Sequence, residues 1–322
     1  MNEPVKLKSY FPHLDGLRAI AIAMVVLFHA GVPGFSGGFV GVDIFFVLSG
    51  YLVTRSLQRE PKLLEFYKKR ARRLMPALSL MLMVYLLVFY SIRPNYPHLR
   101  DAAIAFFYLS DYAAAYGDIP DYLKHTWSLS VEEQFYLIWP LLFLYLKPKL
   151  WHIIFAYVFF SAWRWVQNDW VVTYYSFDTR LSALLLGCAL AHWKIKPLAT
   201  SWLPLILLGL CCFHYYSKDP FFQDWGVMIV EISSALTIIF LPPGWLLNRF
   251  LIYFGRISYG IYLWHYPAIR IAQEFNATWP VLLLVGAVIG IGGAMLSYHF
   301  LESRFLENGR GKTLVATRKA IL

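Results

Sequence analysis

Apolar runs about as long as a bilayer is thick recur from one end of this chain to the other. Ten can be marked, at residues 17–32, 39–57, 74–92, 129–146, 151–166, 181–193, 202–215, 225–241, 251–271 and 281–300. About 20 mostly apolar residues carry a helix across the hydrocarbon core. Composition agrees: 59% of the 322 residues are hydrophobic and 15% are charged, where a soluble domain carries about 25% charged residues. Soluble, disordered, collagen-like and coiled-coil folds are thereby set aside. At about 30 residues per span with its loop, spans fill the chain. The expectation is an all-α polytopic integral-membrane bundle of about ten transmembrane helices. It forms one domain over 1–322, with short cytoplasmic tails at about 1–13 and 303–322 and no appended soluble domain.

Charge sets the expected orientation. With the N-terminus in the cytoplasm, 21 Lys and Arg fall on the cytoplasmic side and 7 on the outer side. That asymmetry is the positive-inside pattern and places both termini inside. It accounts for most of the net charge of +10 without a nucleic acid. The basic start, followed by an apolar run with no small-residue cleavage site, reads as a retained signal anchor. Cys188, Cys211 and Cys212 lie in apolar runs without ligand spacing and are read as packing residues. The long outer loop, from about Arg93 to Thr126, has an apolar middle too short to span, which predicts an interfacial or re-entrant helix.

Ionisable groups inside spans are costly and mark functional sites by default. Arg18 and His29 lie on one helical face of the first span, roughly 16 Å apart along its axis. Arg18 falls near the cytoplasmic boundary, where it can also snorkel to lipid phosphate. His29 falls in the outer half; the alternative for it is a core histidine bonded to a neighbouring helix. Asp43, at a similar depth on the second span, is placed to bond one imidazole nitrogen and fix the tautomer; otherwise it caps or solvates the loop. Ser49-Gly50 reads as close helix packing.

After the second span, Lys68-Lys69-Arg70-Ala71-Arg72-Arg73 puts five basic residues in six positions. Arg70 and Arg73, one turn apart, suit a multiply charged anion, with Arg72 beside them; lipid headgroups are the other reading. Span four opens as Trp127-Ser128-Leu129-Ser130-Val131-Glu132-Glu133-Gln134. Ser130 and Glu133 fit a capping box, and Trp127, Glu132, Glu133 and Gln134 lie on the same side of the membrane as His29, where a sugar-like acceptor would arrive. Arg180 opens span six. Tyr262 and His265 lie in span nine, either lining a site or making interhelical bonds. His13, His98, His125, His152, His192, His214 and His299 fall near or outside the interfaces and are given no chemistry. No metal site is expected.

Five of these stretches together resemble the acyltransferase-3 family of integral-membrane acyltransferases. Arg18 followed by His29 is similar to its R-x10-H signature, and residues 41–50 to its GVDxFFxLSG segment. Arg70 to Pro76 resembles its RxxR followed by proline. Residues 127–136 resemble WSLSVEEQFY, and 258–267 resemble SYxxYLxHxP. The resemblance covers nearly the whole chain. It implies about ten core helices, an acyl-CoA co-substrate, usually acetyl-CoA, and no permanently bound cofactor. It further implies O-acylation of a glycan or lipid-linked glycan, such as lipopolysaccharide O-antigen or exopolysaccharide, at a bacterial cytoplasmic (inner) membrane. Carried over, His29 is the catalytic histidine, Arg18 its signature partner, and Arg70 and Arg73 the motif arginines. Members often carry an acidic residue two positions after the arginine near 180, where this chain has Ser182.

The mechanism expected from these readings brings acyl-CoA from the cytoplasm, its phosphates near Arg70 and Arg73 and its thioester near His29. His29 acts as general base on a hydroxyl arriving past Glu133, oriented by Asp43. A covalent acyl-histidine route is equally open. The rival class is a proton-coupled transporter with His29, Asp43 and His265 as a relay.

Overall fold

The computed structural model describes residues 11–193, 202–216, 218–240 and 244–302. The tails at 1–10 and 303–322, and Lys194 and Lys196 of the charge count, lie outside them. Fourteen α-helices are present among the described residues, with no strand. In chain order these are α1 (Pro12–His29), α2 (Gly41–Arg59), α3 (Leu63–Ile92), α4 (His98–Phe106), α5 (Ser110–Ala115), α6 (Trp127–Leu141) and α7 (Leu150–Val166). They continue as α8 (Trp170–Tyr175), α9 (Phe177–Trp193), α10 (Leu203–His214), α11 (Val227–Ile239), α12 (Arg249–Arg256), α13 (Ser258–Glu274) and α14 (Trp279–Leu296).

The predicted runs are helical over most of their described residues, because a helix closes its own backbone hydrogen bonds within an apolar segment. Their outer surface is apolar as well: Leu87, Leu137 and Leu284 are 76%, 60% and 63% exposed, as lipid-facing side chains are. By length and composition, however, five helical stretches among the described residues are able to cross a membrane: Pro12–His29, Gly38–Arg59, Leu63–Ile92, Phe222–Ile239 and Trp279–Leu301. The other predicted spans fall short for identifiable reasons. α6 carries Glu132 and Glu133, α7 and α10 have 17 and 12 residues, and the 181–193 run belongs to a helix that opens with Asp178 and Arg180. The run at 251–271 is not one helix: the chain breaks at Ile257, between α12 and α13.

Packing is close where side chains are small. α1 and α2 form the antiparallel hairpin expected from the short Gly-rich connector Gly31–Gly38, and α2 crosses α9 at Gly50 and Gly187. A Cβ on Gly50 would land on the Leu184 carbonyl, and one on Gly187 on the Val47 carbonyl, so the two backbones touch. The long connection between α3 and α6 carries two short helices, α4 and α5, where a single one was expected, and ends in a 3-10 turn over Asp121–Thr126. Two bonds latch that turn to α13: Arg270 Nη2 to Asp121 Oδ2 at 2.6 Å and Tyr122 Oη to Glu274 Oε1 at 2.7 Å.

Candidate active site

Polar side chains gather at two levels of the bundle, one at each end of α1. At its C-terminal end the half-buried His29 meets His265 of α13, with Nδ1 2.8 Å from Nε2. His265 is fully buried, and its Nδ1 lies 2.9 Å from the Ile261 carbonyl one turn earlier. A carbonyl accepts only, so Nδ1 of His265 carries the proton. With both rings neutral, Nε2 of His265 then accepts, and Nδ1 of His29 must donate. The chain of bonds leaves Nε2 of His29 with its lone pair free. Tyr266 stands edge-on to the His29 ring at 4.8 Å.

Asp43 does not fill the place expected for it. Its Oδ1 pairs with Arg180 Nη2 at 2.5 Å, and both side chains are buried. It makes no side-chain cap on α2 either. Arg180 arrives from α9, and its guanidinium lies among the rings of Tyr174, Trp127 and Phe46 at 5.4–5.8 Å. Trp127 and Arg180 therefore build the wall behind Asp43. The partner of His29 Nδ1 is His265, because α13 rather than α2 presents a side chain to it.

A second correction concerns His125. The sequence gives it no chemistry, yet it is 1% exposed and neither ring nitrogen has a hydrogen-bond partner. It stacks on Tyr266 at 4.8 Å and 27°, and its ring is 5.8 Å from that of His265. Tyr262 donates to the His125 carbonyl at 2.5 Å and bonds Ser128 at 2.6 Å, which ties the loop end to α13. The signal available in the sequence was its place two residues before Trp127, at the end of a long loop.

The other level holds the arginines. Arg70 lies 3.6 Å above the Tyr136 ring. Tyr136 Oη donates to Glu132 Oε2 at 2.7 Å and Ser49 Oγ to Glu132 Oε1 at 3.1 Å, so Ser49 bonds as well as packs. Arg73 is within electrostatic reach of Arg18 and Arg70, and Glu133 within reach of Arg70. Arg18 itself pairs with Asp15 at 3.1 Å. Arg70 and Arg73 are half-buried, whereas Arg72 is exposed, because one residue's step turns it away from their face. Glu132 and Glu133 thus sit with the arginine group.

Gln134 is committed elsewhere: its amide nitrogen bonds the Tyr108 carbonyl and both Asp111 oxygens at 3.0–3.1 Å. Burial pushes the Asp111 carboxyl, on the short α5, up to about 6. The predicted capping box is also absent. α6 begins at Trp127, so Ser130 lies inside its first turn, bonding the Thr126 carbonyl and accepting from the Ser110 amide.

A third polar group went unseen in the sequence. Arg164, counted with the outer loops, is buried and pairs with Glu231 of α11 at 3.2 Å. Ser182 donates to the same Glu231 oxygen at 2.6 Å, so another helix supplies a carboxylate beside the position where the family pattern has its own. A lone Glu in the 225–241 run was the available signal.

A family model for the acyltransferase domain of the acyltransferase-3 family matches residues 11–299. The peptidoglycan O-acetyltransferase OatA of Listeria monocytogenes is 36% identical to this chain, over 94% of it and 57% of the relative. The putative peptidoglycan O-acetyltransferase YrhL of Bacillus subtilis is 35% identical over 93% and 55%. The O-acetyltransferase OatA of Staphylococcus aureus is 32% identical over 93% and 58%. The chain therefore spans little more than half the length of these curated relatives. No solved structure matches it. On its motifs, its helices and this match, the chain belongs to the acyltransferase-3 family.

Proposed function

We propose that this chain is a membrane-embedded O-acetyltransferase that moves an acetyl group from acetyl-CoA to a hydroxyl of peptidoglycan, with His29 as general base. Two of the relatives are named for peptidoglycan, which favours that acceptor over lipopolysaccharide or exopolysaccharide. The observation that carries the reading is the bond chain from the Ile261 carbonyl through His265 to His29. It leaves a lone pair on His29 Nε2, as a base needs, and holds the ring in place.

The half-buried guanidinium pair of Arg70 and Arg73 suits the phosphates of the donor. It faces the cytoplasm in this reading, and the histidines face outward. The acceptor hydroxyl gives its proton to His29 Nε2 as its oxygen bonds the acyl carbon. The carbon–sulfur bond then breaks, and the leaving CoA thiolate takes the proton from His29. His265 acts as a positioning residue in place of Asp43.

The test uses vesicles reconstituted with the full chain, radiolabelled acetyl-CoA on the cytoplasmic side and a soluble muropeptide on the other. His29→Ala is expected to abolish label transfer while the protein still inserts. Full activity in that variant rejects the assignment.

A further inference from the structure

We propose that His125 is a second catalytic imidazole, whose ring N–H hydrogen-bonds the acyl carbonyl oxygen and stabilises the oxyanion formed there. The inference rests on the acyl-transfer reading above and supplies the donor that this reading lacks.

The first argument is the unpaired ring. A buried polar group without a partner carries its full desolvation penalty, and in a native structure such a group calls for an explanation. His125 has two such nitrogens. The Leu263 carbonyl lies near the ring but outside hydrogen-bond geometry. A substrate oxygen would satisfy one of them.

The second argument is elimination among the polar side chains around the histidine pair. His265 uses both nitrogens, on Ile261 and on His29. Tyr262 is bonded to Ser128 and to the His125 carbonyl. Tyr266 Oη reaches the Asp121 carbonyl at 3.4 Å. His29 presents an acceptor, not a donor. Among the rings in contact with His265, that of His125 is the one with an uncommitted N–H.

Placement and field complete the case. Tyr266 contacts the rings of His29 and His125 alike, so a small acyl group beside this ring has a base and a donor within reach. The bonds from Tyr262, Arg270 and Tyr122 hold the loop, so the donor is preorganised, as oxyanion stabilisation requires. The Lys124 ammonium is within electrostatic reach of His29, and its field favours negative charge on the carbonyl oxygen. As the acceptor oxygen adds, the carbonyl π pair moves onto oxygen and is held by His125 N–H. When the carbonyl re-forms, the thiolate leaves. His125 keeps its proton throughout.

The test compares His125→Phe, which keeps a ring on Tyr266 but no N–H, with His125→Gln, which keeps a donor. Both are made in the full chain in nanodiscs and assayed with acetyl-CoA and a soluble muropeptide. The Phe variant should lose about 100-fold or more in kcat, with KM within about threefold, while staying monodisperse with unchanged Tm. The Gln variant should recover at least about tenfold of that loss and keep the wild-type pH profile. A folded Phe variant within about threefold of wild-type kcat overturns the proposal, as does a rise in KM alone or a Gln variant no better than Phe. If the Phe variant does not purify, His125→Ala is read with added imidazole, and absence of rescue overturns the proposal. His29→Ala runs beside these: if it stays active the acyl-transfer reading fails, whereas an inactive His29→Ala with an active Phe variant sinks only the role of His125.

Discussion

Truncating Asp43 to Ala separates packing from chemistry at the position where sequence and structure disagree most. The substitution leaves the Arg180 guanidinium, 2% exposed, without the carboxylate 2.5 Å away. Two unit charges about 4 Å apart at an effective dielectric near 20 attract by about 4 kcal/mol. Breaking a buried pair from one side costs about 3–5 kcal/mol in measured cases. The two figures agree, and both are large beside a total stability of about 5–15 kcal/mol. At roughly 2 °C per kcal/mol for a large domain, Tm should fall by on the order of 6–10 °C.

Replacing both partners, as Asp43→Leu with Arg180→Met, removes the stranded charge and should restore Tm to near wild type. The Tyr174, Trp127 and Phe46 rings that surround Arg180 would pack against the methionine. The readout is tryptophan fluorescence during heating of protein in nanodiscs, with acetyl transfer measured on the same samples. If Asp43→Ala shifts Tm by less than about 2 °C, the burial argument is wrong. A double variant that is as stable as wild type yet inactive would return Asp43 to the chemistry of His29.

Replacing Arg70 and Arg73 together by Ala should raise the KM for acetyl-CoA by about tenfold or more with little change in the protein's insertion; an unchanged apparent affinity rejects the phosphate role. Gly187→Leu, whose Cβ would strike the Val47 carbonyl, should prevent recovery of monodisperse protein. Gly292→Ala, with nothing within 4 Å of its Cβ, should be neutral or stabilising by about 0.5–1 kcal/mol; equal behaviour of the two in size-exclusion chromatography contradicts the α2–α9 contact. Burial raises the Asp111 carboxyl to about 6, so the folded state holds a proton that the unfolded chain releases near pH 4. Its contribution to stability is full below pH 4 and is lost as pH rises through about 6. Asp111→Asn should flatten the Tm profile over that window, and a profile as steep as wild type removes Asp111 as its source.

Local patterns carried much of this protein. The apolar runs placed the helices, because a helix closes its own hydrogen bonds within a segment. Arg18 and His29 share α1, so their separation follows from helix rise alone. The Gly-rich connector implied the α1–α2 hairpin, and the motif residues pointed to the family. Even the failures in span length have local causes, such as the acidic pair in α6 and the break at Ile257.

What the sequence left open is every pairing across helices. His29 finds His265 across 236 residues and Asp43 finds Arg180 across 137, distances over which residue spacing says nothing about contact. His125, placed by the sequence near or outside an interface and given no chemistry, is brought to the histidine pair by the bonds that Tyr262, Arg270 and Tyr122 make with its loop. Periodicity fixes which face of a helix a side chain occupies. Only packing, set by close contacts such as Gly50 and Gly187, decides which helix lies opposite that face, and so which polar group satisfies a buried one.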